Sequence, residues 1–233
     1  MADAPFDPAP AELLNCTRCP RLVAHREEVA RVKRRSYRNL PYWGRPVPGF
    51  GDPDAEIVIL GLAPGAHGSN RTGRMFTGDG SGGFLYPALF RAGLSNQPDS
   101  RGPGDGLELR GVFITAAARC APPGNKPTGS ELANCRSWLA YDLDSLKSAR
   151  LVLALGRIAH DSYLEFLRRD RPVVKARHPF GHGALHTFAG APGGALPMLD
   201  SYHVSLQNTN TGTLTPEMFG AVLGRAKRLA GTA

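Results

Sequence analysis

The chain predicts an α/β fold: a three-layer α/β/α sandwich around a central, mostly parallel four-stranded sheet. Three observations carry this. Short apolar runs at 56–61, 112–118, 151–156 and 198–204 read as buried strands. Helical patterns alternate with them, and alternating βα units imply a parallel sheet with helices on both faces. No internal repeat or interdomain linker appears, so the 233 residues are expected to form one domain able to bury a sizeable core.

Taken in order, the first helix is expected near 20–38, starting after Pro20. The strand Ile57-Val58-Ile59-Leu60 follows, then a helix near 81–93. The strand VFITAAARC ends at Cys120, and the helix 128–147 opens with the capping box Thr128-x-x-Glu131. The strand LVLALG leads into a helix near 157–169. The last helix, 215–230, has Thr215 as N-cap and Pro216 at its first position. Its stripe Met218, Phe219, Val222, Leu223, Ala226 and Leu229 is expected to face a core. Gly/Pro-rich stretches at 96–106, 121–130 and 190–197 read as loops.

Net charge is +8, which favours a polyanionic partner, although Arg-rich chains are often basic without one. Residues 18–38 hold eight Lys or Arg against Glu27 and Glu28. This reads either as a solvated face or as an element that touches phosphates. No run of eighteen apolar residues is present, and the N-terminus lacks the basic flank and apolar core of a signal peptide. The expectation is a monomeric, cytoplasmic protein with no membrane contact.

The segment 56–83, EIVILGLAPGAHGSNRTGRMFTGDGSGG, is the most informative. A buried strand runs into a loop with eight glycines, His67, Arg71, Arg74 and one acid, Asp79. Ligands bind at strand ends of parallel sheets. The loop has neither GK[ST] nor GxGxxG, so phosphate-cradling and dinucleotide-binding fingerprints are absent. Two further loops, 119–128 and 203–215, fall at the same sheet edge.

Cysteines form one set. Cys16 and Cys19 are a C-x2-C pair, and Cys120 and Cys135 are separated by fourteen residues. Stable disulfides are not expected in a cytosolic chain. The second pair is too wide for a zinc ribbon. The thiol chemistry alone leaves zinc, an iron–sulfur cluster and free buried thiols open.

The segment GLAPGAHGSNRTGRMFTGDGSG resembles the first active-site motif of uracil-DNA glycosylases, most closely the type 5 group, and HVSLQNTNTGTLT resembles their second. The resemblance spans most of residues 12–230. It implies a uracil-DNA glycosylase-like sandwich and a structural [4Fe–4S] cluster on Cys16, Cys19, Cys120 and Cys135, stapling an N-terminal arm (about 12–38) to the core. It implies a DNA repair enzyme: a monofunctional glycosylase that flips uracil, hypoxanthine or xanthine out of double-stranded DNA. Hydrolysis of the N-glycosidic bond then leaves an abasic site.

The roles implied are these. Asp79 stabilises the sugar cation and orients water, Asn125 places water or holds substrate, and His203 donates to the base. Phe76 stacks on the flipped base, and the backbone of Gly61, Leu62, Ala63, Gly65 and Ala66 lines its edge. His182 and His67 are lesser candidates. Better-known relatives carry Asp at the place of Ala63, Tyr at Gly65 and Asn at Ala116, so the usual water-activating acid is missing. The alternatives are a non-catalytic iron–sulfur DNA-binding protein of the same fold and a zinc-dependent nucleotide hydrolase. The latter lacks its HxE-type motif here.

Overall fold

The computed structural model describes residues 9–188 and 195–232. Elements run in the order α1 (Ala11–Leu14), α2 (Pro20–Val32), β1 (Phe50–Gly51), β2 (Ile57–Gly61), α3 (Ser69–Thr72), α4 (Gly80–Arg91), β3 (Val112–Ala116), α5 (Gly129–Ser145), β4 (Leu151–Leu155), α6 (Arg157–Leu167), β5 (Leu185–His186), β6 (Met198–Ser201), α7 (Leu206–Asn210) and α8 (Pro216–Ala230).

The sheet has six strands rather than four, in the order β1-β3-β2-β4-β6-β5. The four expected strands are its parallel centre: β2 pairs with β3 and β4, and β4 with β6. The two additions are antiparallel edges of two residues each, β1 on β3 and β5 on β6. Two residues are too short to print an alternation in sequence, and both are set by the partner strand. Gly51 illustrates this: its φ is +142°, and a Cβ there would lie 2.3 Å from the Val112 carbonyl oxygen. Only glycine lets that edge approach.

Every residue of the central strands is buried. Ile57 and Ile59 face α4 and α8 through Leu85, Leu89, Phe219 and Leu223. Val58 and Leu60 face α5 and α6 through Leu139, Tyr163 and Leu164. A strand buried on both faces therefore reads as a continuous apolar run.

Helix ends follow the local chemistry. The Thr128–Glu131 capping box is formed in both directions. Thr215 accepts from the Met218 N–H, and Gly231 closes α8 in the left-handed region at φ 75°. The first helix is shorter than expected. It stops at Val32 because Lys33 turns to φ 57°, and a 3-10 turn, Arg35–Tyr37, follows. In α8 the buried stripe is Phe219, Val222, Leu223, Ala226 and Ala230, while Leu229 is exposed. Position 230 continues the four-residue step from 226, and 229 falls off it. The loops at 96–106 and 121–130 are present, the latter with a 3-10 turn at Pro123–Asn125. Residues 190–194 of the third expected loop lie outside the described residues.

Candidate active site and cysteine cluster

The chain leaves β2 at Gly61. The Gly61 and Leu62 carbonyls accept from the Ala117 and Ala118 N–H groups, which extends β3 alongside the loop. The N–H groups of Leu62, Ala63, Gly65 and Ala66 donate to nothing among the described residues. Backbone donors are rarely left idle unless water or a ligand takes them. The loop then folds on itself, with Gly68 and Asn70 donating to the Gly65 carbonyl.

Phe76 closes the loop over the strand end. Its φ is +51°, which an aromatic residue adopts only under constraint. The constraint is visible. Tyr86 donates to the Met75 carbonyl at 2.7 Å. The Phe76 carbonyl presses on Gly82, where a Cβ would come within 1.7 Å of it. The ring lies across Gly61 and 6.2 Å from the ring of His203. Gly61, Phe76 and His203 are thus brought together from β2, its loop and the end of β6.

Asp79 is the N-cap of α4. Its Oδ1 accepts from the Ser81 and Gly82 N–H groups, each at 3.1 Å. Oδ2 points the other way, against Gly65 and Gly68, where a Cβ would lie 2.7 and 2.0 Å from it. Burial raises the carboxyl pKa, opposed by the two capping donors and the charge of Arg71. One oxygen is therefore structural, and the other faces the loop that carries the idle donors.

His203 is half-buried, and burial drives its pKa down to about 4, so the ring is neutral at pH 7. Its carbonyl accepts from Asn208 Nδ2 at 2.8 Å, which ties it to α7. At the start of α7, Leu206 is 53% exposed and rests over Gly80, next to the Asp79 cap. The sequence held no signal for this side chain, because its exposure depends on how α7 docks. Asn125 is exposed at φ 57°, and no hydrogen bond or ring contact joins it to Asp79, Phe76 or His203.

Segment 33–42 is fastened to the motif loop. The Arg71 guanidinium stacks 4.2 Å over the Tyr37 ring and donates to the carbonyls of His67 and Gly78. Tyr42 hydrogen-bonds His67 Nδ1 at 3.0 Å. Arg34, Arg35 and Arg38 are exposed beside this junction. The charge run at 18–38 is accordingly divided: its second half flanks the site, and its first half serves the cysteines.

The four free cysteines line one recess with Arg119 and Trp138. Each sulfur accepts one N–H: Cys16 from Arg18 Nε at 3.3 Å, Cys19 from Asn134 at 3.5 Å, Cys120 from Arg26 Nη1 at 2.9 Å and Cys135 from the Arg119 backbone at 3.2 Å. Burial raises the Cys120 thiol against the pull of Arg26, and pushes Cys135 up to about 12. At Cys16 burial is outweighed by Arg18 and Trp138, which lower it. Arg21 pairs with Glu131 at 2.7 Å and Arg18 bonds Ser137, so the arm is also held by polar contacts.

Four other histidines take part in packing and hydrogen bonds away from Asp79. His160 and His186 each bond one oxygen of the fully buried Asp200 at 2.9 Å, and His160 Nε2 reaches the His178 carbonyl. Their ligand atoms crowd within 4.8 Å of one another, but these hydrogen bonds occupy them. His182 accepts from the Tyr202 N–H and stacks on its ring. Burial lowers the pKa of both His67 and His182.

A family model described as the uracil DNA glycosylase superfamily matches residues 48–227. The type-5 uracil-DNA glycosylase of Thermus thermophilus is 58% identical over 219 residues, covering 94% of this chain and 95% of that protein. That of Pyrobaculum aerophilum is 46% identical over 226 residues, covering 97% of this chain and 94% of its own length. A type-4 uracil-DNA glycosylase of the same organism is 35% identical over 124 residues, 53% of this chain and 55% of that one.

Proposed function

This chain belongs to the uracil-DNA glycosylase superfamily, and we propose from that premise that it removes uracil, hypoxanthine and xanthine from double-stranded DNA. The observation that carries the reading is the set of idle N–H groups at Leu62, Ala63, Gly65 and Ala66, in the loop that leaves Gly61, where Phe76 lies across the strand end with His203 beside it. A flipped base is a planar ring edged with acceptors. Phe76 stacks on its face, and the idle donors meet its carbonyl oxygens.

In the reaction the C1′–N bond breaks, the base leaves with the electron pair, and a water oxygen bonds C1′. The sugar gains positive charge and the base negative charge. The free Oδ2 of Asp79 stabilises the first and orients the water. The neutral His203 ring donates one N–H to the second, and the proton lost by water ends on the departing base. Asn125 sits on an exposed turn, where it serves to hold DNA or to place water once substrate is bound.

Breadth of substrate follows from what the pocket lacks. Strong rejection of an analogue needs a buried polar group that the wrong ligand leaves unpaired. Ala116 offers no amide. Gly65 has no side chain, and none fits while Asp79 Oδ2 occupies that space. Backbone donors and a stacking ring tolerate other planar bases.

Leu206 is apolar and exposed at the mouth, as a wedge that fills the vacated stack would be. Arg34, Arg35 and Arg38 are placed to meet phosphates.

The cysteines are read as ligands of a [4Fe–4S] cluster. The four sulfurs line one recess, and each accepts an N–H. Four N–H donors suit four thiolates that carry the charge of a cluster. Bound, the group staples the arm (about 12–38) to a single domain and takes no part in the chemistry on the base.

The test is a panel of duplexes, each with one lesion, incubated with excess protein and then alkali. Cleavage at uracil, hypoxanthine and xanthine is expected. Cleavage at uracil alone refutes the open pocket, and no cleavage refutes the enzyme.

A further inference from the structure

Seven side-chain polar atoms are buried without a partner among the described residues, and four of them surround the cysteines: Arg26 Nε, Arg119 Nε and Nη1, and Trp138 Nε1. Arg119 is 1% exposed and Arg26 is 4% exposed. An unsatisfied buried donor costs about 1–3 kcal/mol, and more when charged. Several together in one place demand an acceptor.

The protein supplies little: the Trp138 N–H turns toward the Cys16 sulfur without closing a hydrogen bond, and the idle arginine N–H groups find no acceptor among the described residues. Arg119 Nη2 is already committed to Asp142 and to the Trp138 carbonyl, and Asp142 is in turn held by the Thr115 hydroxyl at 2.5 Å. That clamp fixes the guanidinium with its two remaining edges unused. Each cysteine sulfur already takes one N–H, and neutral thiols accept weakly. The missing acceptors must come with whatever the cysteines bind. A zinc ion leaves the four thiolates as the only acceptors. An iron–sulfur cluster brings inorganic sulfides and thiolates rich in negative charge.

We propose that Arg26, Arg119 and Trp138 donate their idle N–H groups to the sulfur atoms of the bound cluster and so raise its reduction potential. This rests on the cluster reading above. The couple is one electron, [4Fe–4S]2+ to [4Fe–4S]1+, with the electron supplied from an electrode. The reduced form carries more negative charge, so hydrogen bonds to sulfur favour it. The three residues are positioning and tuning groups, and none touches the reacting base.

The experiment compares wild type with Trp138→Phe and Arg119→Lys, all purified without oxygen. Trp138→Phe keeps the ring beneath Arg18, whose guanidinium lies 5.0 Å from it, and removes only the N–H. Arg119→Lys keeps a cation for Asp142 and removes the idle donors. Iron and sulfide content should match wild type in both. The midpoint potential, read by film voltammetry, should fall. For Arg119→Lys we expect about a tenfold loss in the reduction equilibrium, or about 59 mV for one electron, with a smaller fall for Trp138→Phe.

Full iron content with an unmoved midpoint in both overturns this proposal and leaves the cluster reading standing. Zinc without iron in the wild type overturns the cluster reading and this proposal with it. If Arg119→Lys does not fold, the midpoint of Trp138→Phe decides alone.

Discussion

Asp79 holds a helix with one oxygen and faces the site with the other, so two substitutions should separate the roles. Asp79→Ala removes both. The Ser81 and Gly82 N–H groups lose their acceptor, which costs about 1–2 kcal/mol for a lost N-cap. In a chain of this length that lowers Tm by about 2–8 °C. Asp79→Asn caps as well as Asp. It also removes a charge that burial disfavours, as the raised pKa shows. Its Tm should match or slightly exceed that of wild type at pH 7.

Excision should collapse in both. A full charge about 4 Å from the sugar at an effective dielectric of ~20 is worth about 4 kcal/mol, or nearly a thousandfold in rate. DNA binding should persist, because phosphates gain nothing from a carboxylate. The assay pairs single-turnover excision on a uracil duplex with thermal scans at one fixed rate, since cluster-bearing proteins seldom unfold reversibly. Wild-type excision by Asp79→Asn would refute the catalytic role. Equal Tm values for the Ala and Asn variants would refute the cap.

His203→Ala should slow excision by about two to three powers of ten if the ring acts as an oxyanion-type donor, measured in single turnovers. His203 also sets a pH dependence. Below pH 6.5 the unfolded chain takes up a proton that the buried ring refuses down to about 4, so its contribution to stability is present above 6.5 and declines as pH falls through that window. Relative to His203→Asn, wild type should lose up to about 2 kcal/mol between pH 7 and 5, read from denaturant midpoints. Cys135→Ser should abolish the broad absorption near ~400 nm expected of sulfur-to-iron charge transfer and expose the arm to limited proteolysis; retained colour would exclude Cys135 as a ligand. Leu206→Ala should slow excision from U·A pairs more than from U·G mismatches, because a mismatched base costs less to extrude; equal losses would remove the wedge.

Much of this protein is legible in one dimension because the determining interactions are local or periodic. The central strands are buried on both faces, so they print continuous apolar runs. Thr128, Glu131, Thr215 and Pro216 act within one helical turn, and they end up where their spacing puts them. The motif loop is dense enough in glycine to mark the strand end as a place of close backbone approach, and the cysteine pairs mark one site. The tertiary structure decided what depends on partners far along the chain. The edge strands β1 and β5 exist only because β3 and β6 offer open hydrogen bonds to two residues each. The double role of Asp79 depends on Gly65 and Gly68 folding back upon it. The gathering of Arg26, Arg119 and Trp138 around the sulfurs depends on an arm docking against α5 across about a hundred residues. Local patterns carry propensity and periodicity, but an orphaned donor or a shared carboxylate is a property of packing, and packing is defined only when the distant segments meet.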